Sequence, residues 1–148
     1  MWDKAIKAIQ DSSPQAKVYI GCDSVRTRVR KGVWEATYCT VVVLHHPRDG
    51  CSIFHNNTVM PEYGNIKQRM LNEVSFAAEA AAAVIDHLDG RTLEIHLDIN
   101  TDPVYKSSVA VKEAIGWIQG MTGITPKLKP EAWASTHVSD HIVRGKKH

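Results

Sequence analysis

A switch of hydrophobic period in the middle of the chain constrains its fold most. Along residues 33–45 the side chains alternate in character and become almost wholly apolar, as in a strand that enters a buried sheet. Residues 66–88 are instead rich in Ala, Glu and Leu, which favours a helix. A period of two that gives way to helical composition predicts an α/β chain with helices packed on a sheet.

Turn residues divide the first half of the chain into three predicted strands. A short β-rich run covers residues 17–21, and another covers residues 52–59. Lys31-Gly32 and Asp49-Gly50 separate these runs from the long alternating one, and glycine can take the positive φ that tight turns need. We therefore expect the first three strands to form an antiparallel meander.

Helices and strands alternate in the second half. Asn65 can cap the helix predicted at residues 66–88, with Gln68 three residues later in a capping-box arrangement and Gly90 after the helix end. The remaining elements are predicted at residues 92–99 (strand), 108–119 (helix), 125–128 (strand) and 131–143 (helix). The order β-β-β-α-β-α-β-α predicts a mixed sheet with helices on its faces.

Length and composition fit one ordinary domain. The 148 residues are 43% hydrophobic and 23% charged, close to globular averages and unlike a disordered chain. No apolar run approaches the roughly 20 residues of a membrane span, and the N-terminus lacks the pattern of a secretory signal. Three cysteines without a Cys-x-x-Cys pair indicate neither a disulfide framework nor a zinc ribbon. We expect one cytoplasmic domain over residues 1–148, with an N-terminal extension at residues 1–16 and a basic tail at residues 144–148.

Carboxylates occupy three informative positions. Asp23 directly follows the first predicted strand and Asp98 closes the fourth, so parallel neighbouring strands would bring both to one edge of the sheet. Taken alone, either acid is more simply explained as a turn cap. Glu73 shares a helical face with a row of small residues, whereas Glu79 lies on the polar face. A carboxylate on a buried face is costly unless it is protonated, paired or bound to a cation.

A fourth acid stands in the last predicted helix. Asp140 follows His137 by three residues, so the two share a face with His141 beside them. Converging carboxylates repel each other, and a divalent cation offsets that repulsion. An all-oxygen set of ligands suits Mg²⁺ or Mn²⁺. Zinc held by His137, His141 and a third residue such as His96 is an alternative, but the sequence has no His-Glu-x-x-His motif.

The strand order and the four acids resemble the ribonuclease H-like superfamily, whose members hold two metal ions with such a set. More narrowly, the chain resembles the small YkuK-like predicted nucleases. The segments that carry this resemblance are Tyr19-Ile20-Gly21-Cys22-Asp23-Ser24, Arg69-Met70 before Glu73, Glu94-Ile95-His96-Leu97-Asp98-Ile99, and Lys129-Pro130 with Ala134-Ser135 and Asp140. The resemblance covers about residues 17–143. It implies a five-stranded mixed sheet in the order 3-2-1-4-5, with parallel first and fourth strands and three helices on its faces.

The resemblance also implies roles for the acids. The chain would be a nuclease that hydrolyses phosphodiester bonds with two Mg²⁺ or Mn²⁺ ions. The implied metal ligands are Asp23, which would bridge the two ions, and Glu73, Asp98 and Asp140, which would flank them. His137 resembles the superfamily's mobile histidine, which assists proton transfer or product release.

Two positions near the fourth strand keep alternative interpretations. The acid that follows this strand is either Asp98 or Asp102. Asp98 continues the alternation of Glu94 and His96, whereas Asp102 precedes Pro103 and fits a turn. His96 is either a satisfied histidine beside the site or a contributor to substrate binding.

Basic residues follow the first acid and end the chain. The net charge of +2 is too small for a dedicated nucleic-acid coat, so only the clustering of charge is informative. The residues expected to hold phosphates are Ser24, Arg26, Arg28, Arg30, Lys31, Arg144, Lys146 and Lys147. Alternation would project the three arginines of the first cluster from one face of an extended hairpin. The expected partner is RNA, DNA or an RNA/DNA hybrid, and the alternative function is a silent nucleic-acid-binding or assembly module.

Overall fold

The computed structural model describes residues 1–48, 50–98 and 111–128. Four strands form its sheet: β1 (Lys17–Arg30), β2 (Val33–His45), β3 (Cys51–Glu62) and β4 (Thr92–His96). Their spatial order is β3-β2-β1-β4, in which the first three strands are antiparallel and β4 runs parallel to β1. The predicted meander and the predicted parallel pairing of the first and fourth strands are confirmed.

Within the described ranges, three helices accompany the sheet: α1 (Asp3–Asp11), α2 (Ile66–Ile85) and α3 (Val111–Thr122). Asn65 caps α2 as predicted, because its side chain accepts a hydrogen bond of 3.0 Å from the backbone nitrogen of Gln68. Helix α2 ends at Ile85, three residues before the predicted end, and Gly90 lies in the turn to β4 with φ of 86°. No helix in the part of the chain that the structure describes has the length and apolar character needed to cross a membrane.

The N-terminal segment contributes to the core. Residues 1–16, predicted as an extension, contain helix α1, in which Ala5 and Ile9 are buried. Trp2, just before the helix, is also buried. The spacing of these three residues by three and four positions gives the helix one apolar face. The segment therefore belongs to the folded body of the protein.

Helix α2 packs closely on one face of the sheet. Its buried residues are Met70, Val74, Ala77, Ala78, Ala80, Ala81 and Val84, and they join Val18, Ile20 and Cys22 of β1 in one cluster. Each fully buried valine or isoleucine of such a cluster contributes about 1.5–3 kcal/mol. Small alanine side chains let the helix axis approach the strands. In the first half of α2, Met70 and Val74 join the cluster that contains the β1 residues.

The predicted fifth strand is reduced to a single bridge in the described residues. Lys127 pairs in parallel with His96, and its nitrogen donates to the carbonyl oxygen of Ile95 at 2.8 Å. The carbonyl oxygen of Lys127 in turn accepts a hydrogen bond of 2.9 Å from the backbone nitrogen of Leu97. The described sheet therefore has four strands in the order 3-2-1-4, not five, with Lys127 beside β4. The helix predicted at residues 131–143 lies outside the described residues.

Strand β1 is much longer than the predicted residues 17–21. Its pairing with β4 ends at Gly21 and His96, but its pairing with β2 continues to Arg30 and Val33. The two-residue turn at 31–32 closes this long hairpin, with Gly32 at φ of 74° as the sequence predicts. Asp23 thus lies within the hairpin, not directly after the strand as predicted.

Candidate active site

Three predicted acids line one cleft beside the end of β4. In the parallel register, Gly21 of β1 pairs with His96 of β4, and Asp23 and Asp98 each lie two residues further along. Glu73 reaches the same place from the first half of α2. The cleft has a volume of about 140 Å³ and is lined by Asp23, Ser24, Ile66, Arg69, Met70, Glu73 and Asp98. Sequence reasoning therefore located three acids that the fold brings together.

The side chains of Asp23 and Ser24 leave β1 on opposite faces of the sheet. Successive residues of β1 point to opposite faces of the sheet, so the side chains of Asp23 and Ser24 diverge. The opposite partners in β2 are Cys39 for Asp23 and Tyr38 for Ser24, and only Tyr38 belongs to the core cluster under α2. The cleft can receive side chains from both faces because β4 ends at His96.

Ser24 bonds to two of the acids. Its hydroxyl donates to Oε2 of Glu73 at 2.5 Å, and its backbone nitrogen donates to Oδ1 of Asp23 at 2.8 Å. The sequence analysis expects Ser24 to hold a substrate phosphate. In the structure its hydroxyl is instead directed at a carboxylate.

Glu73 has a strongly raised pKa. Burial is the largest cause that raises its pKa from 4.5 to about 8, and the negative charges of Asp23 and Asp98 contribute to that rise, against the lowering effects of the Ser24 hydroxyl and Arg69. The side chain is partly buried, whereas Glu79 on the same helix is exposed. The prediction that Glu73 faces the sheet and Glu79 faces solvent is confirmed. At neutral pH the cleft therefore carries a carboxyl group that tends to keep its proton.

The donor set of the cleft suits a hard divalent cation. All three acids offer oxygen ligands, which Mg²⁺ and Mn²⁺ prefer. The negative charges of Asp23 and Asp98 both raise the pKa of Glu73, so each of these two acids interacts electrostatically with Glu73. Within residues 1–48, 50–98 and 111–128, however, no three His, Cys, Asp or Glu side chains are close enough together to hold an ion. The acids match the chemistry of a metal site, although their described positions do not form a complete one.

Several predicted site residues cannot be placed. Those that lie outside the described part of the chain are Asp102, His137, Asp140, His141, Arg144, Lys146 and Lys147. The fourth predicted metal ligand and the predicted mobile histidine are among them. Of the two candidates for the acid after the fourth strand, Asp98 lines the cleft.

Arg69 is a residue of the cleft that sequence reasoning missed as a functional side chain. It lines the acid cleft and also an adjoining cleft of about 360 Å³, which Arg26 and Glu62 help to form. Its guanidinium lies 3.9 Å from a carboxylate oxygen of Glu62 and helps to lower the pKa of Glu73. The available signal was its position four residues before Glu73, which puts both on one helical face.

The first basic cluster is only partly brought to the acids. The guanidinium carbon of Arg26 lies 4.1 Å from the centroid of the Trp34 ring, a distance typical of a cation–π contact. Arg28, Arg30 and Lys31 are exposed further along the hairpin. A register shift between Arg28 and Arg30 interrupts the alternation. The alternation alone predicts that the three arginines share one face. The register shift means that this face does not continue along the whole hairpin.

His96 is held within the sheet. It is 1% exposed, and its Nε2 lies 3.4 Å from Oε1 of Glu94, which also binds Nζ of Lys127 at 2.7 Å. The ring of Tyr19 lies edge-on to it with centroids 5.5 Å apart. Burial lowers the pKa of His96, against the raising effect of Glu94. These contacts favour the interpretation of a satisfied histidine beside the site over a role in substrate or zinc binding.

Comparisons with known proteins bear on the family of this chain. None of the curated proteins compared with the chain matches it. Among solved structures, the chain is similar to the crystal structure of the prototype foamy virus protease–reverse transcriptase (CSH mutant), with 13% identity and a TM-score of 0.44. The similarity covers 89% of this chain and 19% of that one, so this chain spans about a fifth of its length. Residues 1–144 match the family model described as ribonuclease H-like, and the chain therefore belongs to the ribonuclease H-like family.

Proposed function

We propose that this chain is a metal-dependent nuclease that hydrolyses phosphodiester bonds. Membership of the ribonuclease H-like family supports a nuclease-type, nucleic-acid-related function in general terms. The observation that carries the specific proposal is the convergence of Asp23, Glu73 and Asp98 on one cleft. The parallel register of β1 and β4 brings two of these acids to the same edge of the sheet, and α2 supplies the third.

The proposed metal ligands are Asp23, as the bridging residue, with Glu73, Asp98 and Asp140 beside it. Two bound Mg²⁺ or Mn²⁺ ions would supply positive charge that activates a water molecule and stabilises the leaving oxygen. His137 would assist proton transfer or product release. The products would be a 3′-hydroxyl and a 5′-phosphate.

Positive charge beside the acids supports a polyanionic substrate. Arg69 lines both clefts, and Arg26 lines the larger one while its guanidinium rests on Trp34. A guanidinium held against a ring keeps its donors in a restricted orientation, which suits bidentate contact with a phosphate. Arg28, Arg30 and Lys31 continue the charge along the exposed hairpin. The proposed substrates are an RNA/DNA hybrid or a structured nucleic acid.

A second candidate is a nucleic-acid-binding or assembly module that does not turn over. The observation that favours it is the absence, in the described residues, of three ligands close enough for one ion. Such a module would keep the positive clefts and would bind substrate without metal. The two candidates therefore differ in one outcome: a nuclease cleaves its bound substrate when divalent cations are added, whereas the module leaves it intact.

The test is a cleavage panel with labelled RNA/DNA hybrid, branched DNA and structured RNA. We expect cleavage with Mg²⁺ or Mn²⁺ and none with EDTA. Asp23→Asn keeps the size of the side chain but removes its charge, and should lower the rate by at least about 10²-fold, the order seen when a main electrostatic element is lost. Glu79→Gln is the matched control, because Glu79 is exposed on the same helix as Glu73. Metal-independent binding without cleavage of any substrate would support the module instead.

A further inference from the structure

Ser24 joins the two acids that come from different elements of the fold. Its backbone nitrogen donates to Oδ1 of Asp23 at 2.8 Å, and its hydroxyl donates to Oε2 of Glu73 at 2.5 Å. Glu73 is 49 residues away in the sequence. One residue of β1 thus contacts a carboxylate of its own strand and a carboxylate of α2.

Neighbouring contacts hold the backbone of β1 and of α2 in place on both sides of the Ser24–Glu73 bond. Ser24 pairs with Tyr38 across the β1–β2 hairpin, and the hydroxyl oxygen of Tyr38 accepts a hydrogen bond of 3.1 Å from the side chain of Asn72. Asn72 directly precedes Glu73 on α2. Two opposite residues of the hairpin therefore bond to two successive residues of the helix, and the buried Val74 follows them. This arrangement fixes the distance between the strand and the helix at Glu73.

The Ser24 hydroxyl engages only one oxygen of the Glu73 carboxylate. While Oε2 accepts from Ser24, Oε1 can face a cation without breaking that bond. Hydrogen bonds of this kind orient the carboxylates that ligate metals in proteins, and their loss typically weakens metal affinity by about 10–100-fold. A short bond to a carboxylate is also among the stronger hydrogen bonds of proteins.

We propose that Ser24 is a positioning residue whose hydroxyl orients Glu73, beside Asp23, toward a divalent cation. This inference rests on the proposed function, because it assumes that both acids are metal ligands. It differs from the expectation that Ser24 holds a substrate phosphate. A phosphate-binding serine would affect the affinity for nucleic acid, whereas a positioning serine affects the affinity for the metal alone.

Mn²⁺ binding to the full chain without nucleic acid tests this role. Titration calorimetry should give about 10–100-fold weaker Mn²⁺ binding for Ser24→Ala than for the unmodified protein. Ser24→Thr keeps a hydroxyl and suits a strand, so it should restore most of the affinity. Ser75→Ala is the matched control, because Ser75 is partly buried on α2 two residues after Glu73. Its Mn²⁺ affinity should equal that of the unmodified protein.

Thermal unfolding in EDTA separates positioning from stability. The melting temperatures of Ser24→Ala and Ser24→Thr should be close to that of the unmodified protein. Both variants are then folded throughout the titration. Equal Mn²⁺ affinity in the unmodified protein and in Ser24→Ala would overturn the positioning role and leave the proposed nuclease intact. No Mn²⁺ binding by the unmodified protein would instead overturn the proposed metal-dependent function, and the positioning role with it.

Discussion

Glu73→Gln should stabilise the metal-free protein, and increasingly so as the pH rises. Burial is the main cause of the rise in the pKa of Glu73 from 4.5 to about 8. The pKa of this carboxyl is higher in the folded state than in the unfolded state. The free energy of unfolding therefore decreases as the pH rises from 4.5 to about 8. The amide side chain of the variant would be neutral at every pH and would escape that loss. The amide oxygen can still accept the hydrogen bond from Ser24.

The size of the effect follows from the same pKa. Each pKa unit corresponds to about 1.36 kcal/mol, so full ionisation of Glu73 costs roughly 3–5 kcal/mol of unfolding free energy above about pH 8. The difference between variant and unmodified protein should shrink below about 1 kcal/mol near pH 5, where folded Glu73 keeps its proton. Urea unfolding in EDTA at about pH 5, 7 and 8.5 measures this difference.

Glu79→Gln is the control for this experiment. Glu79 is exposed on the same helix, so its replacement should leave the free energy of unfolding nearly unchanged at all three pH values. Comparison at equal pH cancels the titration of groups that do not interact with Glu73. A Glu73→Gln effect that does not change with pH, or that decreases toward the highest pH, would refute the account of the buried carboxyl.

Three further perturbations test other parts of the account. Saturating Mn²⁺ should raise the melting temperature of the unmodified protein, because 100 Kd of a ligand that binds only the folded state contributes about 2.7 kcal/mol; calorimetry that shows no shift would contradict a folded-state metal site. Arg26→Ala should flatten the plot of log affinity against log salt by about one unit in a binding titration with a labelled duplex, if Arg26 contacts one phosphate; Lys7→Ala, on the exposed face of α1, is the control. Ile9→Ala should cost about 2–5 kcal/mol in chemical unfolding, because Ile9 is fully buried; a cost below about 1 kcal/mol would show that α1 adds little to the core.

Long periodic elements were predictable from the sequence, and the elements without such signals were not. Strand β2 occupies the 33–45 run that its alternation predicts, and α2 begins after its capping residue. Helix α1 has no side-chain cap at Trp2, so only the spacing of its buried residues marks it. The predicted fifth strand, with only four residues at 125–128, is a single bridge between Lys127 and His96 in the described residues.

In the candidate site, too, features that follow from local sequence were predictable, and features that depend on tertiary packing were not. The burial of Glu73 follows from its helical face, which can be counted along the sequence. The adjacency of Asp23 and Asp98 depends on which strands are neighbours, and only the family resemblance supplied that order. The bond from Ser24 to Glu73 joins residues 49 apart, so it depends on how α2 packs on β1. Such contacts are products of tertiary structure and leave no local pattern.

The most direct measurement of the central claim is the anomalous diffraction of Mn²⁺ in crystals of the unmodified protein. The account predicts Mn²⁺ in the cleft between Asp23, Glu73 and Asp98, with carboxylate oxygens as its ligands. The same soak of Asp23→Asn crystals should show reduced occupancy there. A cleft that holds no Mn²⁺ at a saturating concentration, in crystals that leave it open to solvent, would contradict the claim that these acids form a metal site.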